Sequence, residues 1–184
     1  MDYAAGLELA KSRLSDERIL AHSLASAAVL RALARRLGHD EETWALAGLL
    51  HDLDYPETVD DMARHGLVTA EILAEYDLPP EVIEAIKAHN AENLGLTRTT
   101  PLDIALTAGE TITGLVVATT LVYPDKKLAS VKPKSVTKRM KEKSFAASVN
   151  RDHIRLCEEL DIPLPEFAAL AVEAMRGISD DLGL

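Results

Sequence analysis

Leu20, Leu24, Ala27, Leu30, Ala34 and Leu37 recur at steps of three and four along the chain, which puts their side chains on one face of an α-helix. Ser15-Asp16 offers an N-cap and Gly38 a stop, so the pattern predicts a helix over about 16–37. Ser23, Ala25 and Ser26 lie beside His22 on that helix and are small enough to let a second helix come close. A short amphipathic stretch over 4–13 precedes it. After the acidic start Asp40-Glu41-Glu42, the residues Ala47, Leu50, His51 and Asp54 share one face until Tyr55-Pro56 breaks the helix. Further helices are expected over about 62–76, containing His65, and after the turn Leu78-Pro79-Pro80-Glu81, where Val82, Ala85, Ile86 and His89 align. Thr100-Pro101-Leu102-Asp103 opens the longest apolar helix, with Asp103, Leu106, Thr107, Glu110, Gly114 and Val117 along one stripe. Two more, about 150–160 and 165–182, close the chain. No stretch of any length alternates as a strand does, so the predicted fold class is all-α.

Composition agrees. The 184 residues suffice for one domain with a core, here taken as 1–184, and 47% hydrophobic with 27% charged residues is the balance of an ordered globular chain. Aromatic residues make up only 4%, which favours helices over strands. Cys157 is the single cysteine, so an intrachain disulfide and a thiolate zinc cluster are both excluded; core packing is its expected role. No basic region followed by an apolar block opens the sequence, and the weakly polar run 111–123 is shorter than the roughly 20 residues of a membrane span. A cytoplasmic protein without a membrane partner is the expectation.

Charge divides the chain. Residues 125–144 carry eight basic groups against Asp125 and Glu142, a local +6, so the rest of the molecule sums to −16 of the total −10. That total argues against a general nucleic-acid binder, and no aromatic stacking platform accompanies the basic run. An anionic substrate needs positive charge nearby, so Lys127, Lys132, Lys134 and Lys138 are the candidate substrate-binding residues.

The chemistry gathers on four helices that each present a metal-ligating side chain inwards: His22, His51 with Asp52, His89, and Glu110, with His65 as a fifth site. A helical bundle can converge such groups in its core. Neighbouring residues on a helix splay by about 100°. His51 and Asp52 can therefore share a centre only near a helix end, or if the carboxylate reaches towards a second ion. His39 and His153 are expected at the surface.

His22, then His51-Asp52, then an acid some sixty residues later resembles the HD-domain superfamily of metal-dependent phosphohydrolases, and within it an HDIG-type branch of predicted hydrolases. The resemblance extends through Leu50-His51-Asp52-Leu53-Asp54-Tyr55, His65-Gly66, Ile86-Lys87-Ala88-His89-Asn90, Tyr123-Pro124-Asp125-Lys126-Lys127-Leu128 and Lys143-Ser144-Phe145-Ala146-Ala147-Ser148-Val149-Asn150-Arg151, nearly the whole chain. It implies an HD-type helical bundle, with a metal-binding core over about 16–124 and a C-terminal helical extension over 125–184. It implies hydrolysis of a small phosphate ester or nucleotide-type substrate, using one or two divalent ions (Mn, Fe, Mg, Ni or Co). His22, His51, Asp52 and Glu110 are the implied ligands. His65 and His89 either join them around a second ion or orient phosphate, Asp54 supports them, and Asp52, His89 and Lys87 are the implied catalytic residues. One departure stands out: relatives carry an aspartate in a segment like Ala-Asp-Glu-Leu-Thr-Gly where this chain has Gly109-Glu110-Thr111-Ile112-Thr113-Gly114. Asp103, two turns earlier, is the rival, but it is explained as a helix-capping acid. The resemblance also covers di-iron oxygenases and catalytically degenerate regulatory modules, and it leaves a homo-oligomer open.

Overall fold

The computed structural model describes all 184 residues and contains helices and no strands. The helices are α1 (Tyr3–Arg13), α2 (Glu17–Leu37), α3 (Glu41–Leu50), α4 (Tyr55–Thr58), α5 (Leu67–Leu73), α6 (Pro80–His89), α7 (Ala91–Leu94), α8 (Pro101–Leu121), α9 (Pro133–Arg139), α10 (Arg151–Arg155), α11 (Leu164–Arg176) and α12 (Ser179–Leu182). The fold is an all-α bundle.

Helix starts follow the capping chemistry of the sequence. Asp16 accepts from the Arg18 amide at 2.8 Å and Asp40 from the Thr43 amide at 2.7 Å, each satisfying a donor that the first turn leaves unpaired. Thr100 and Asp103 form a reciprocal capping box at the start of α8, so Asp103 is committed to the helix end. Gly38 ends α2 in the left-handed conformation, φ 77°.

Two 21-residue helices, α2 and α8, form the spine, with α3 and α6 packed against them. α8 is long and apolar enough, by length and composition alone, to cross a membrane, but here most of it is buried within the bundle. α3 meets α2 closely at Gly48, where any Cβ would sit 2.7 Å from the Ser26 carbonyl carbon. The small residues of α2 thus admit the neighbour they were expected to admit. A cluster of 37 buried apolar residues runs from Ala10 to Met175 and includes Phe167 and Cys157.

Four boundaries differ from the hydrophobic pattern. α3 stops at Leu50, so His51 is its C-cap and Asp54 lies in the following turn instead of on the helix face. Tyr55-Pro56 starts the short helix α4, since a proline is accommodated in a first turn. His65 precedes α5 instead of lying inside a helix, because Gly66 at φ 84° turns the chain there. The C-terminal pair divides further: α10 passes into a 3₁₀ turn over Leu156–Leu160 that ends at Asp161, φ 55°, and α11 and α12 separate at Gly177.

Candidate metal centre

The end of α3, the turn before α5, the end of α6, the first turns of α2 and the middle of α8 meet at one cavity of about 850 Å³. His51 is 1% exposed there, His65 3%, and Asp52 and His89 8% each. His22 and Glu110 are partly buried.

The ring nitrogens face one another at short range. His22 Nε2 lies 3.2 Å from His51 Nε2, and His89 Nε2 lies 2.9 Å from His65 Nε2. Asp52 stands between the pairs. Its Oδ1 is 3.4 Å from both His51 and His65 Nε2 and 3.8 Å from His89 Nε2, while Oδ2 is 3.8 Å from His22 Nε2. Two trios of potential ligands result, His22–His51–Asp52 and Asp52–His65–His89, sharing the carboxylate. Glu110 Oε2 adds to the first trio at 3.7 Å from His22 Nε2.

The other ring nitrogen of each histidine determines which tautomer is present. His51 Nδ1 donates to the Gly48 carbonyl at 2.8 Å and His89 Nδ1 to the Ile86 carbonyl. His65 Nδ1 donates to Asp54 Oδ1 at 2.8 Å. The Thr113 hydroxyl donates to the Glu110 carbonyl at 2.6 Å, so it can only accept from His22 Nδ1, 3.0 Å away. All four protons therefore sit on Nδ1, and all four Nε2 lone pairs point into the cluster. Lone pairs that converge at about 3 Å repel unless a cation lies among them, and outer-shell bonds of this kind are what orient metal-ligating imidazoles. The donor set fits a divalent metal.

Charge follows the same logic. Burial pushes His22 down to about 4 and His89 down to about 3, so both are neutral and able to ligate at neutral pH. Burial alone would raise Asp52, but at low pH the surrounding imidazoles take on positive charge and draw it down to about 2. Glu110 moves the other way, up to about 8, through burial and then the Asp52 charge, against the bond from the Thr111 hydroxyl. A partly buried acid beside a buried carboxylate favours either a proton or a cation.

Asp54 is fully buried and accepts from the Gly66 and Thr69 amides at 2.8 and 2.9 Å as well as from His65, fixing the turn that carries His65. Asn90 reaches back from the end of α6 to the carbonyls of Met62 and His65 at 2.7 and 2.9 Å, tying that turn to His89. Asp103 is absent from the cavity wall.

None of Lys127, Lys132, Lys134 and Lys138 lines this cavity, contrary to the sequence expectation. Lys132, Lys134 and Lys138 instead line a separate depression with Lys141, between α9 and the start of α11. The Lys132 amide donates to Tyr123 Oη at 3.2 Å, which fixes this region beyond the far end of α8; Leu121 alone is about 16 Å along the helix axis from Glu110. Lys87 pairs with Glu84 at 2.6 Å and is also absent from the wall. His39 is exposed and stacks on Trp44, while His153, expected at the surface, lines the cavity. His153 Nε2 lies 3.0 Å from Glu92 Oε1, and Glu92 is held by Arg98 through two bonds of 2.8 and 2.9 Å. Sequence reasoning missed this group, together with Ser148 and Asn150 on the same wall. The one signal was Asn150 as a helix N-cap, which puts His153 in the first turn of α10.

A family model described as HD domain matches residues 19–116. The chain is similar to Ribonuclease Y of Sulfurovum sp., 39% identical over 74 residues, which are 40% of this chain and 14% of the relative. Ribonuclease Y of Mycoplasma mycoides is 34% identical over 76 residues, 41% and 18% of the two chains, and that of Desulfotalea psychrophila 30% identical over 98 residues, 53% and 18%. The chain thus spans less than a fifth of the length of these curated relatives. No solved structure matches it.

Proposed function

The chain belongs to the HD-domain family, and from that premise we propose that it is a metal-dependent phosphohydrolase acting on a small phosphate ester or nucleotide-type substrate. The observation that carries this reading is the convergence of four Nε2 lone pairs on the Asp52 carboxylate, with every Nδ1 proton already committed elsewhere.

In this reading His22, His51, Asp52 and Glu110 hold one ion, and Asp52, His65 and His89 a second. Four imidazoles with one or two carboxylates favour iron, nickel or cobalt over magnesium, whose preferred ligands are oxygens. A metal bound there supplies Lewis-acid polarisation of a phosphoryl oxygen and a water acidified towards neutral pH. The chain's own contribution is orientation. Asp54, Gly48, Ile86 and Thr113 hold the rings, and the buried walls limit water around the reacting group. Ser148, Asn150 and His153 belong to the same wall, so residues 1–184 are read as one unit in which the 125–184 segment completes the site.

The relatives' name, ribonuclease, supports cleavage of a phosphate ester bond. RNA is not the preferred substrate here, because the net charge of −10 repels a polyanion and the lysines lie apart from the cavity. A histidine-rich pair of sites sharing a carboxylate also suits iron–oxygen chemistry, which makes a di-iron oxygenase the second reading. The test is a panel of phosphate monoesters and diesters assayed with manganese, iron, nickel and cobalt, alongside oxygen uptake. Hydrolysis abolished in His51→Ala and Asp52→Ala supports the phosphohydrolase. Oxygen consumption without hydrolysis would replace it with the oxygenase.

A further inference from the structure

A second depression, of about 440 Å³, opens beside the metal cavity and shares Arg18, His22 and Ser148 with it. Its character differs from the cavity's. Ala21 from α2, then Gly114, Val117, Ala118 and Leu121 from α8, and Val149 form an apolar wall, and the last residues of the chain complete it. Gly114 keeps the space open, since a Cβ there would already sit 3.3 Å from Val149.

The polar groups on this wall are committed or lie at its junction with the metal cavity. The Thr113 hydroxyl donates to the Glu110 carbonyl and accepts from His22 Nδ1, so it has no proton left for a ligand. Arg18 stands where the two depressions join, with its side chain 91% exposed beside Asp16. From Thr113 to Leu121 the crevice follows α8 for about 12 Å. A wall of this kind gains by covering apolar surface and offers little to polar groups, which lose their hydration without a partner. His22 is the one ring on it, so it also provides no sandwich for a nucleobase.

We propose that this crevice binds the apolar, aliphatic alcohol portion of a phosphate ester whose phosphate lies in the metal cavity. The proposal rests on the phosphohydrolase reading and narrows its substrate class to phosphate esters of aliphatic alcohols over nucleotides. His22 is the hinge of the arrangement: its Nε2 faces the metal cluster while its ring forms the inner end of the apolar wall.

The test is calorimetric titration of the manganese-loaded full chain with inorganic phosphate and with methyl-, butyl- and hexylphosphonate, which resist hydrolysis. The expected result is binding of inorganic phosphate, and phosphonate affinity that rises with chain length by up to about fourfold per methylene. Ala118→Phe, which fills the crevice, and Leu121→Ser, at a position already 49% exposed, should both flatten that rise, with metal content reporting that each variant is folded. Equal affinity for methyl- and hexylphosphonate, or a rise that survives both substitutions, would overturn the crevice while leaving the phosphohydrolase reading intact. Failure of inorganic phosphate and of every phosphonate to bind would overturn both.

Discussion

Asp54 shows how much of this site is determined by atoms that never reach the cavity. It is buried, holds two backbone amides and receives the His65 Nδ1 proton, so it fixes both the ring's tautomer and the turn beneath it. Burial alone would raise its carboxyl, but the bonds from His65 and the amides hold it below the usual range. Asp54→Asn keeps the size and removes the charge. Metal affinity should fall by roughly 10- to 100-fold, the usual cost of losing such a partner, in a competition titration against a chelating dye. Unchanged affinity would mean that His65 is not a ligand. Glu110 gives the residue scale its pH signature. In the metal-free protein its carboxyl is raised to about 8, so the folded state keeps a proton that the unfolded chain releases near pH 4.5. That contribution to stability is complete below pH 4.5 and is lost as pH rises through 8. His22 and His89, lowered to about 4 and 3, act oppositely: their contribution is present above pH 6.5 and is lost as pH falls through those values. In chelator, Glu110→Gln should therefore shrink the fall in Tm between pH 6.5 and 9, leaving the part that comes from His65, which, against burial, the Asp54 carboxylate holds above its ordinary value. Parallel Tm curves for the two proteins would show that Glu110 is not the group responsible.

Between elements, one contact determines whether the first trio exists. α3 crosses α2 at Gly48, one turn before His51 and beside the segment that carries His22. Gly48→Ala places a methyl group 2.7 Å from backbone that cannot rotate away, so the helices must separate. The expected cost is about 1–3 kcal/mol in denaturant unfolding, together with weaker metal binding as His22 and His51 move apart. A variant as stable and as metal-avid as the parent would show that the close crossing is not needed. The helices that carry most of the site were legible because capping residues and apolar spacing agree: Asp16 and Gly38 bracket α2, and Thr100 with Asp103 start α8. His51 and Asp52 were legible as a pair for the same reason, and both conditions foreseen for their sharing a centre are met, a helix end and a carboxylate between two trios. The position of His65 was not legible. Apolar periodicity runs across Gly66, and only the left-handed backbone there reveals that the helix begins one residue later.

For the whole molecule, the difference lies in where remote segments meet. Charge composition correctly isolates residues 125–144 as basic, but the role given to the lysines assumed that opposite charges would be neighbours. Packing of α9 against α11 and the far end of α8 places that patch elsewhere. The segment that does reach the cavity is the next one, whose Ser148, Asn150 and His153 carry no charge run to announce them. Arg151 organises this stretch by donating to the carbonyls of Ala146 and Val149, both at 2.6 Å, and to that of Phe145, a local knot of one side chain that neither apolar spacing nor charge pattern reveals. The whole arrangement converges on the claim that the molecule is built around divalent metal at Asp52. The most direct measurement is the metal-to-protein ratio, by elemental analysis, of the full chain purified without chelator and re-loaded with iron, nickel, cobalt or manganese. The account predicts one or two ions per chain in the parent and loss of both in Asp52→Ala, because both trios share that carboxylate. A parent that retains no metal under any loading, or an Asp52→Ala variant with undiminished content, would contradict it.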